Sequence, residues 1–213
     1  MSKNLLPTPS KNLLSETKSA VFTQTGDKNT QIAHANNVNQ VFNIIVPGMA
    51  HPAGRTINTS SVPLNQDYYN LFVIGEEDFQ GEHFIVPKER ALTESMSDEL
   101  KDKFSSLSSD AILVIRTFPS LFASENRQYG RTDDTHIAYF GMVTDVKIQD
   151  NGIKVYFHKF SDMPQQKVNE IALKLALGKA ALLNELNRTH WAIKRVNLIE
   201  ELRRAGISVL APT

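Results

Sequence analysis

Three charged residues in the second half of the chain have types and spacing that could act on a phosphate ester. Asp134 precedes the run Asp145-Val146-Lys147, and residues two apart on a strand point to the same face. A carboxylate there could bind Mg²⁺, and Lys147 could steady an attacking water or the leaving oxyanion. Glu125 would be an additional ligand. The same spacing also occurs on ordinary solvated strand faces, so a purely structural interpretation stays open.

An acid followed by Asp-x-Lys on a neighbouring strand is typical of metal-dependent nucleases of the restriction-endonuclease type. The βαβ context of those enzymes is missing here, and so are a Gly-rich phosphate loop and a Gly-x-Ser-x-Gly elbow. The six His lack paired metal-ligand spacing. We therefore predict no cofactor and no metal site, and an enzyme is the less favoured class.

A basic and aromatic cluster near the C-terminus is the second candidate, as a surface that contacts a ligand or nucleic acid. It comprises Arg188, His190, Trp191, Lys194 and Arg195. A Trp can stack on a base while the cations bind phosphates. Alternatively, Trp191 belongs to the core and the charges are solvated. Arg127 and Arg131, in the long polar stretch Pro119–Thr135, could extend the same surface.

Residues 21–47 differ in composition from the rest of the chain, because five Asn and three Gln occur among these 27 residues. Short β-prone pieces alternate with turn signals, and little in the segment could form a core alone. Such a segment gains most by pairing with another copy of itself, with Asn and Gln side chains stacked in ladders. The other interpretation is an arm that docks on the main domain, with its Asn residues serving turns.

Residues 24–32 of this arm resemble the core of the receptor-homotypic-interaction motif and its bacterial amyloid-signalling relatives. Gln24, Gly26 and Asn29 match the pattern, Ile32 could serve as a following apolar position, and Gln31 lies beside it. Thr23 and Thr25 depart from it, because the family usually has Val or Ile there. The resemblance implies homotypic assembly through a flexible arm, in cell-death or anti-phage signalling. The remainder of the chain resembles no family that we recognise.

The bulk composition is that of a soluble globular protein, with 41% apolar and 22% charged residues. Lys plus Arg and Asp plus Glu are both 23, so the net charge gives no general attraction to nucleic acid or membranes. There is no cysteine, which excludes disulfides and zinc–thiolate sites. No long apolar run or secretory signal is present, so we expect a cytoplasmic protein that does not contact membranes.

The element that must position these candidates is a β-hairpin over residues 138–160. Its strands alternate apolar and polar residues around Asn151-Gly152, which favours a type I′ turn. That turn predicts Ile148 opposite Val155 and Asp145 opposite His158. A one-residue slip would expose the apolar face to water.

Around the hairpin we predict strands at Asp67–Gly75, His83–Val86, Ala111–Phe118 and Ile207–Leu210. Helices are predicted at Leu92–Phe104, from Pro164 through Leu186, and at Val196–Ala205. This pattern indicates an α+β fold, with a small antiparallel, partly closed, barrel-like sheet and C-terminal helices.

The predicted organisation is a disordered tail (1–20), the Asn/Gln-rich arm (21–47), a linker (48–63) and a globular domain (64–213). The leading functional expectation is a non-enzymatic protein that forms homo-oligomers or binds a protein partner through the arm. The resemblance implies a setting in bacterial anti-phage or conflict signalling. The alternative is a nucleic-acid-binding or nuclease domain that uses the Asp134/Asp145/Lys147 face.

Overall fold

The computed structural model of the chain describes residues 64–178, 180 and 182–210. The predicted tail, arm and linker lie outside them, including the assembly residues Gln24, Gly26, Asn29, Gln31 and Ile32. Within the described residues the strands are β1 Tyr69–Ile74, β2 His83–Val86, β3 Pro119–Ser124, β4 Ile137–Gln149, β5 Gly152–Pro164 and β6 His190–Lys194. The helices there are α1 Asp98–Phe104, α2 Ser109–Ile115, α3 Gln165–Glu170 and α4 Leu198–Arg204, with short 3₁₀ turns at Lys88–Arg90 and Glu185–Asn187.

The six strands form one mixed sheet in the order β2-β5-β4-β3-β1-β6. β1 and β3 are parallel, and the other neighbours are antiparallel. The α+β class is thereby confirmed. The predicted barrel-like closure is not confirmed, because β2 and β6 are left as two separate edges.

Both faces of the central strands are buried, because alternate residues of β1 contribute to two different cores. Phe72 and Ile74 face a core that includes residues of α1 and α2, whereas Leu71 and Val73 face a core that includes residues of α3 and α4. The predicted alternation of polar and apolar residues therefore applies only to strands outside this centre. A strand buried on both sides has a nearly continuous apolar sequence.

The β4–β5 hairpin is confirmed, but its predicted register is wrong by two residues. Ile148 lies opposite Ile153 and Asp145 lies opposite Tyr156, with Asp150 and Asn151 as the connection. Gly152 belongs to β5 because β2 approaches it closely: a Cβ there would lie 2.5 Å from Cγ2 of Ile85. Its φ of +150° also favours glycine. A two-residue offset keeps every side chain on its predicted face, since strands repeat every two residues.

The prediction of a strand over Ala111–Phe118 is wrong. Ser108 caps α2 by accepting a hydrogen bond from the Ala111 N–H. Ala111 and Ile115 lie one helical turn apart, and both are buried on the same face of α2. The strand comes next, at Pro119–Ser124, inside the stretch predicted as a polar loop. Proline is tolerated there because it is the first residue of the strand.

The remaining helix predictions are confirmed in position but were too long. Ser97 caps α1 and Asn197 caps α4 through their side chains. Gly206, with φ of +74°, ends α4, and its N–H donates to the carbonyl of Arg203. The predicted helical continuation to Leu186 is replaced by the 3₁₀ turn, and residues 207–210 form no strand.

Candidate functional site

A tight turn follows β3 and presents two arginines and a tyrosine to solvent. We name it the Arg-Tyr-Arg turn after Arg127, Tyr129 and Arg131. Gln128 and Arg131 exchange two backbone hydrogen bonds, with N–O distances of 3.2 and 3.1 Å. Gly130 between them has φ of +64°, a conformation that glycine adopts without strain. Tyr129 at the tip is 71% exposed, which is unusual for so large an aromatic side chain.

Five side-chain amides lie beneath this turn and hydrogen bond to one another. This amide cluster comprises Asn126, Gln165, Asn169, Asn184 and Asn187. Asn126 and Asn169 exchange two bonds of 2.9 Å, and Asn126 also donates to Asn187 over 2.9 Å. Gln165 donates to Asn126 over 3.1 Å, and Asn184 donates to Asn169 over 2.8 Å. Gln165, Asn169 and Asn184 are buried, so the cluster is a satisfied interior network.

The amide cluster holds the backbone of the turn directly. Oδ1 of Asn187 accepts from the Gly130 N–H over 2.9 Å, and the Asn126 N–H donates to the carbonyl of Leu186 over 2.7 Å. Beyond the turn, the Thr132 N–H donates to Oε1 of Gln166 over 3.1 Å. The backbone is thus held on both sides of Tyr129. A preformed loop loses less conformational entropy when it binds a partner.

Asp133 fixes the side chain of Arg127. Its Oδ2 lies 3.1 Å from the Arg127 guanidinium, and its Oδ1 accepts hydrogen bonds from the hydroxyl and, over 3.0 Å, the N–H of Thr135. The Thr135 hydroxyl is the main cause that lowers the pKa of Asp133 to about 2, with His136 and Arg127 contributing. The carboxylate therefore stays charged at neutral pH and neutralises one of the two arginines.

The predicted basic and aromatic cluster divides into exposed and buried members. Trp191 is fully buried and stacks on Phe72 with ring centroids 5.0 Å apart, which confirms the core interpretation for this residue. His190 and Lys194 are also buried, on the opposite face of β6. Arg188 reaches solvent and pairs with Glu94 over 2.7 Å.

Arg195 lies at the far end of the sheet from the Arg-Tyr-Arg turn, where β1 begins and β6 ends. Its guanidinium donates to the Tyr68 hydroxyl over 2.8 and 3.1 Å and lies 3.5 Å from Glu99. Tyr68 and Arg195 line a shallow depression of about 450 Å³. Arg188 and Arg195 therefore do not form one surface with the buried members of the predicted cluster.

The buried charges of β6 are satisfied inside the protein. The Lys194 ammonium lies 2.6 Å from Glu185 and donates to the carbonyl of Ser95 over 2.7 Å. His190 bonds to Glu185 through Nε2 and to the carbonyl of Arg188 through Nδ1. Burial lowers the pKa of Lys194, whereas Glu185 partly restores it. Burial also raises the pKa of the neighbouring Tyr69 well above its usual value.

The structure does not bring the predicted catalytic residues together. Asp134 lies in the loop before β4 begins at Ile137, whereas Asp145 lies eight positions into that strand, about 26 Å from Ile137 at 3.3 Å per residue. Asp145 and Lys147 do lie on one face, 4.0 Å apart. Across residues 64–178, 180 and 182–210, no group of three His, Asp or Glu could hold a metal ion.

Sequence reasoning identified Arg127 and Arg131 but missed Tyr129, Asp133 and the amide cluster. Tyr129 could have been found, since it stands between the two arginines beside a glycine. The cluster could not, because Asn126 and its partners Asn169 and Asn187 lie 43 and 61 positions apart.

The described fold defines the class of this protein only as an α+β domain with a mixed six-stranded sheet. No family model matches the chain, and no curated protein or solved structure is significantly similar to it. None of the helices in the described part of the chain has the length and apolar character that a bilayer crossing needs.

Proposed function

We propose that this chain is a non-enzymatic binding and assembly protein whose domain recognises a protein partner through the Arg-Tyr-Arg turn. The observation that carries this proposal is the combination of an exposed Tyr129 with a backbone held by the amide cluster. Tyr and Arg are enriched among the residues that dominate binding energy at protein interfaces. A fixed loop presents them at low entropic cost.

The charge of the turn favours a protein over an anionic polymer as the partner. Arg127 is already paired with Asp133, and Asp134 follows directly, so residues 127–134 carry two arginines and two carboxylates. Such a mixed surface has little net attraction for phosphates. It offers an aromatic anchor with hydrogen-bond donors beside it, which suits a protein surface.

A photo-crosslinking amino acid in place of Tyr129 tests the recognition role in the cells that encode the chain. We expect a discrete adduct with a protein of another sequence, lost when Arg127→Ala and Arg131→Ala are added. The control places the same group at Ile148, which is 56% exposed at the tip of the hairpin. Equal adduct patterns from both positions would refute a recognition role for the turn.

The second part of the proposal is homotypic contact through residues 21–47, supported by the match of Gln24, Gly26 and Asn29 to the homotypic-interaction motif. The setting implied by that resemblance is bacterial anti-phage signalling in the cytoplasm. Gln24→Ala or Gly26→Val should lower the solution mass of the full chain without changing its unfolding transition. An unchanged mass would remove the assembly role and leave the recognition role standing.

A further inference from the structure

One face of the β2–β5–β4 part of the sheet carries lysines and aromatic rings that are exposed or half-buried. We name it the Tyr156 face. It consists of His83 and Ile85 from β2, Lys154, Tyr156 and His158 from β5, and Asp145 and Lys147 from β4. The register places them together, because His83 lies opposite Tyr156, and Lys154 lies opposite both Ile85 and Lys147.

The helices leave this half of the hairpin uncovered. The core that includes residues of α3 and α4 contains the buried Ala138, Phe140 and Met163 of β4 and β5, with the half-buried Phe160 packed against it, all near one end of the hairpin. Further along, Lys147 and His158 are exposed, and Tyr156 is half-buried. A half-buried ring still has part of its surface open to a ligand.

Tyr156 lies among cations and other rings. The ammonium groups of Lys147 and Lys154 lie 5.0 and 5.4 Å from its ring centroid, and the His83 ring lies 5.5 Å away. Along β5, the ring of His158 is followed by that of Phe160, at a centroid distance of 5.3 Å. The result is a row of aromatic rings along a strand with two lysines at one end.

The two lysines face each other directly across the β4–β5 ladder. Like charges in directly opposite positions destabilise a sheet. Asp145 lies 4.0 Å from Lys147 and offsets part of this repulsion, so one positive charge of the trio stays uncompensated. An anionic ligand would reduce the repulsion between Lys147 and Lys154. Planar groups on the same ligand could stack on the neighbouring aromatic rings.

We propose that the Tyr156 face binds single-stranded nucleic acid, with unpaired bases stacked on Tyr156 and its neighbouring rings and phosphates beside Lys147 and Lys154. Sheet faces with exposed aromatic residues bind single strands in this way, because every base has a face that can stack. The bases of a duplex are already stacked on one another and cannot reach the rings. This site is separate from the Arg-Tyr-Arg turn.

Fluorescence anisotropy of a labelled oligothymidylate with the full chain tests this inference. We expect Tyr156→Ala to weaken binding by about tenfold or more, since stacking of one base is worth about 1–3 kcal/mol. Tyr156→Phe should retain binding, because it keeps the ring. Leu113→Ala, which shortens an exposed side chain on α2, is the control and should bind like the wild type.

The lysines are tested through the salt dependence of the same measurement. The double variant Lys147→Ala with Lys154→Ala should make the negative slope of log K against log salt shallower by about 1.4, which is about 0.7 for each lost phosphate contact. The exposed pair Lys167→Ala with Lys174→Ala is the control and should leave the slope unchanged.

Three results would overturn the proposal. The first is no binding of the oligonucleotide by the wild type. The second is a Tyr156→Ala variant that binds unchanged while Trp191 fluorescence shows it to be folded. The third is equal affinity for a duplex of the same length, which would indicate a general anion surface without base stacking.

Discussion

Replacing Asn126 by alanine should destabilise the domain by about 2–6 kcal/mol, because this side chain joins the amide cluster to β3 and the turn. The acceptors that it serves keep other donors: Oδ1 of Asn187 still receives the Gly130 N–H, and Oδ1 of Asn169 still receives Asn184. The side-chain N–H donors of Asn169 and Gln165 lose the acceptor that Asn126 provides. Nδ2 of Asn169 loses its bond to Asn126, and Nε2 of Gln165 keeps only its bond to the carbonyl of Ser124.

Two buried N–H groups are therefore left without acceptors, and each such group costs about 1–3 kcal/mol. Equilibrium unfolding in urea measures the loss, with the fluorescence of Trp191 as the probe, since it is the single Trp and is fully buried. For a slope of about 2 kcal/mol per M, the midpoint should fall by roughly 1–3 M.

Gln128→Ala is the matched control, since this residue is exposed and forms the turn through its backbone. Its free energy of unfolding should change by less than about 0.5 kcal/mol. An Asn126→Ala variant as stable as this control would refute the reasoning, because it would mean that water replaces the amide at no cost.

Three further changes test other parts of the structure. As the pH rises from about 9 to about 11, Tyr69→Phe should lose less stability than the wild type. In the wild type the folded state keeps the Tyr69 proton, whereas the unfolded state releases it above about pH 10, so the stability of the wild type falls with rising pH. Equal urea-unfolding profiles against pH would contradict this. Thr135→Val should raise the pKa of Asp133 from about 2 toward 3.8, measured from its carboxyl carbon by NMR, and an unmoved titration would exclude the Thr135 hydroxyl as the main cause. Gly152→Ala should cost more than about 1 kcal/mol of unfolding free energy in urea, because the new Cβ would lie 2.5 Å from Ile85 and φ is +150°; a wild-type midpoint would show that β2 can move away.

Local signals predicted the parts of the fold that local physics decides. β2 was predicted with its observed bounds, because Pro87 ends a short apolar run. The faces of the hairpin followed from alternation, although its register did not, since Gly152 serves the close approach of β2 instead of the turn. The predicted end of the last helix at Ala205 lies one residue beyond the observed end of α4 at Arg204.

Tertiary context decided what the sequence left ambiguous. A short apolar run such as Ala111–Phe118 can be a buried strand or a helix, and the cap at Ser108 selected the helix. The candidate site was predicted through Arg127 and Arg131 alone. Its support comes from amides that are far apart in the chain and come together only in the fold.

Hydrogen exchange at the Gly130 amide is the most direct test of the central claim, that the Arg-Tyr-Arg turn is a preformed recognition surface. In the full chain this N–H bonds to Oδ1 of Asn187 beneath an exposed tip. We expect protection in the wild type comparable to that of the β3 amides, retained in Gln128→Ala and lost in Asn187→Ala, which removes the acceptor of the Gly130 N–H. Exchange of Gly130 in the wild type as fast as in an unstructured loop would contradict it.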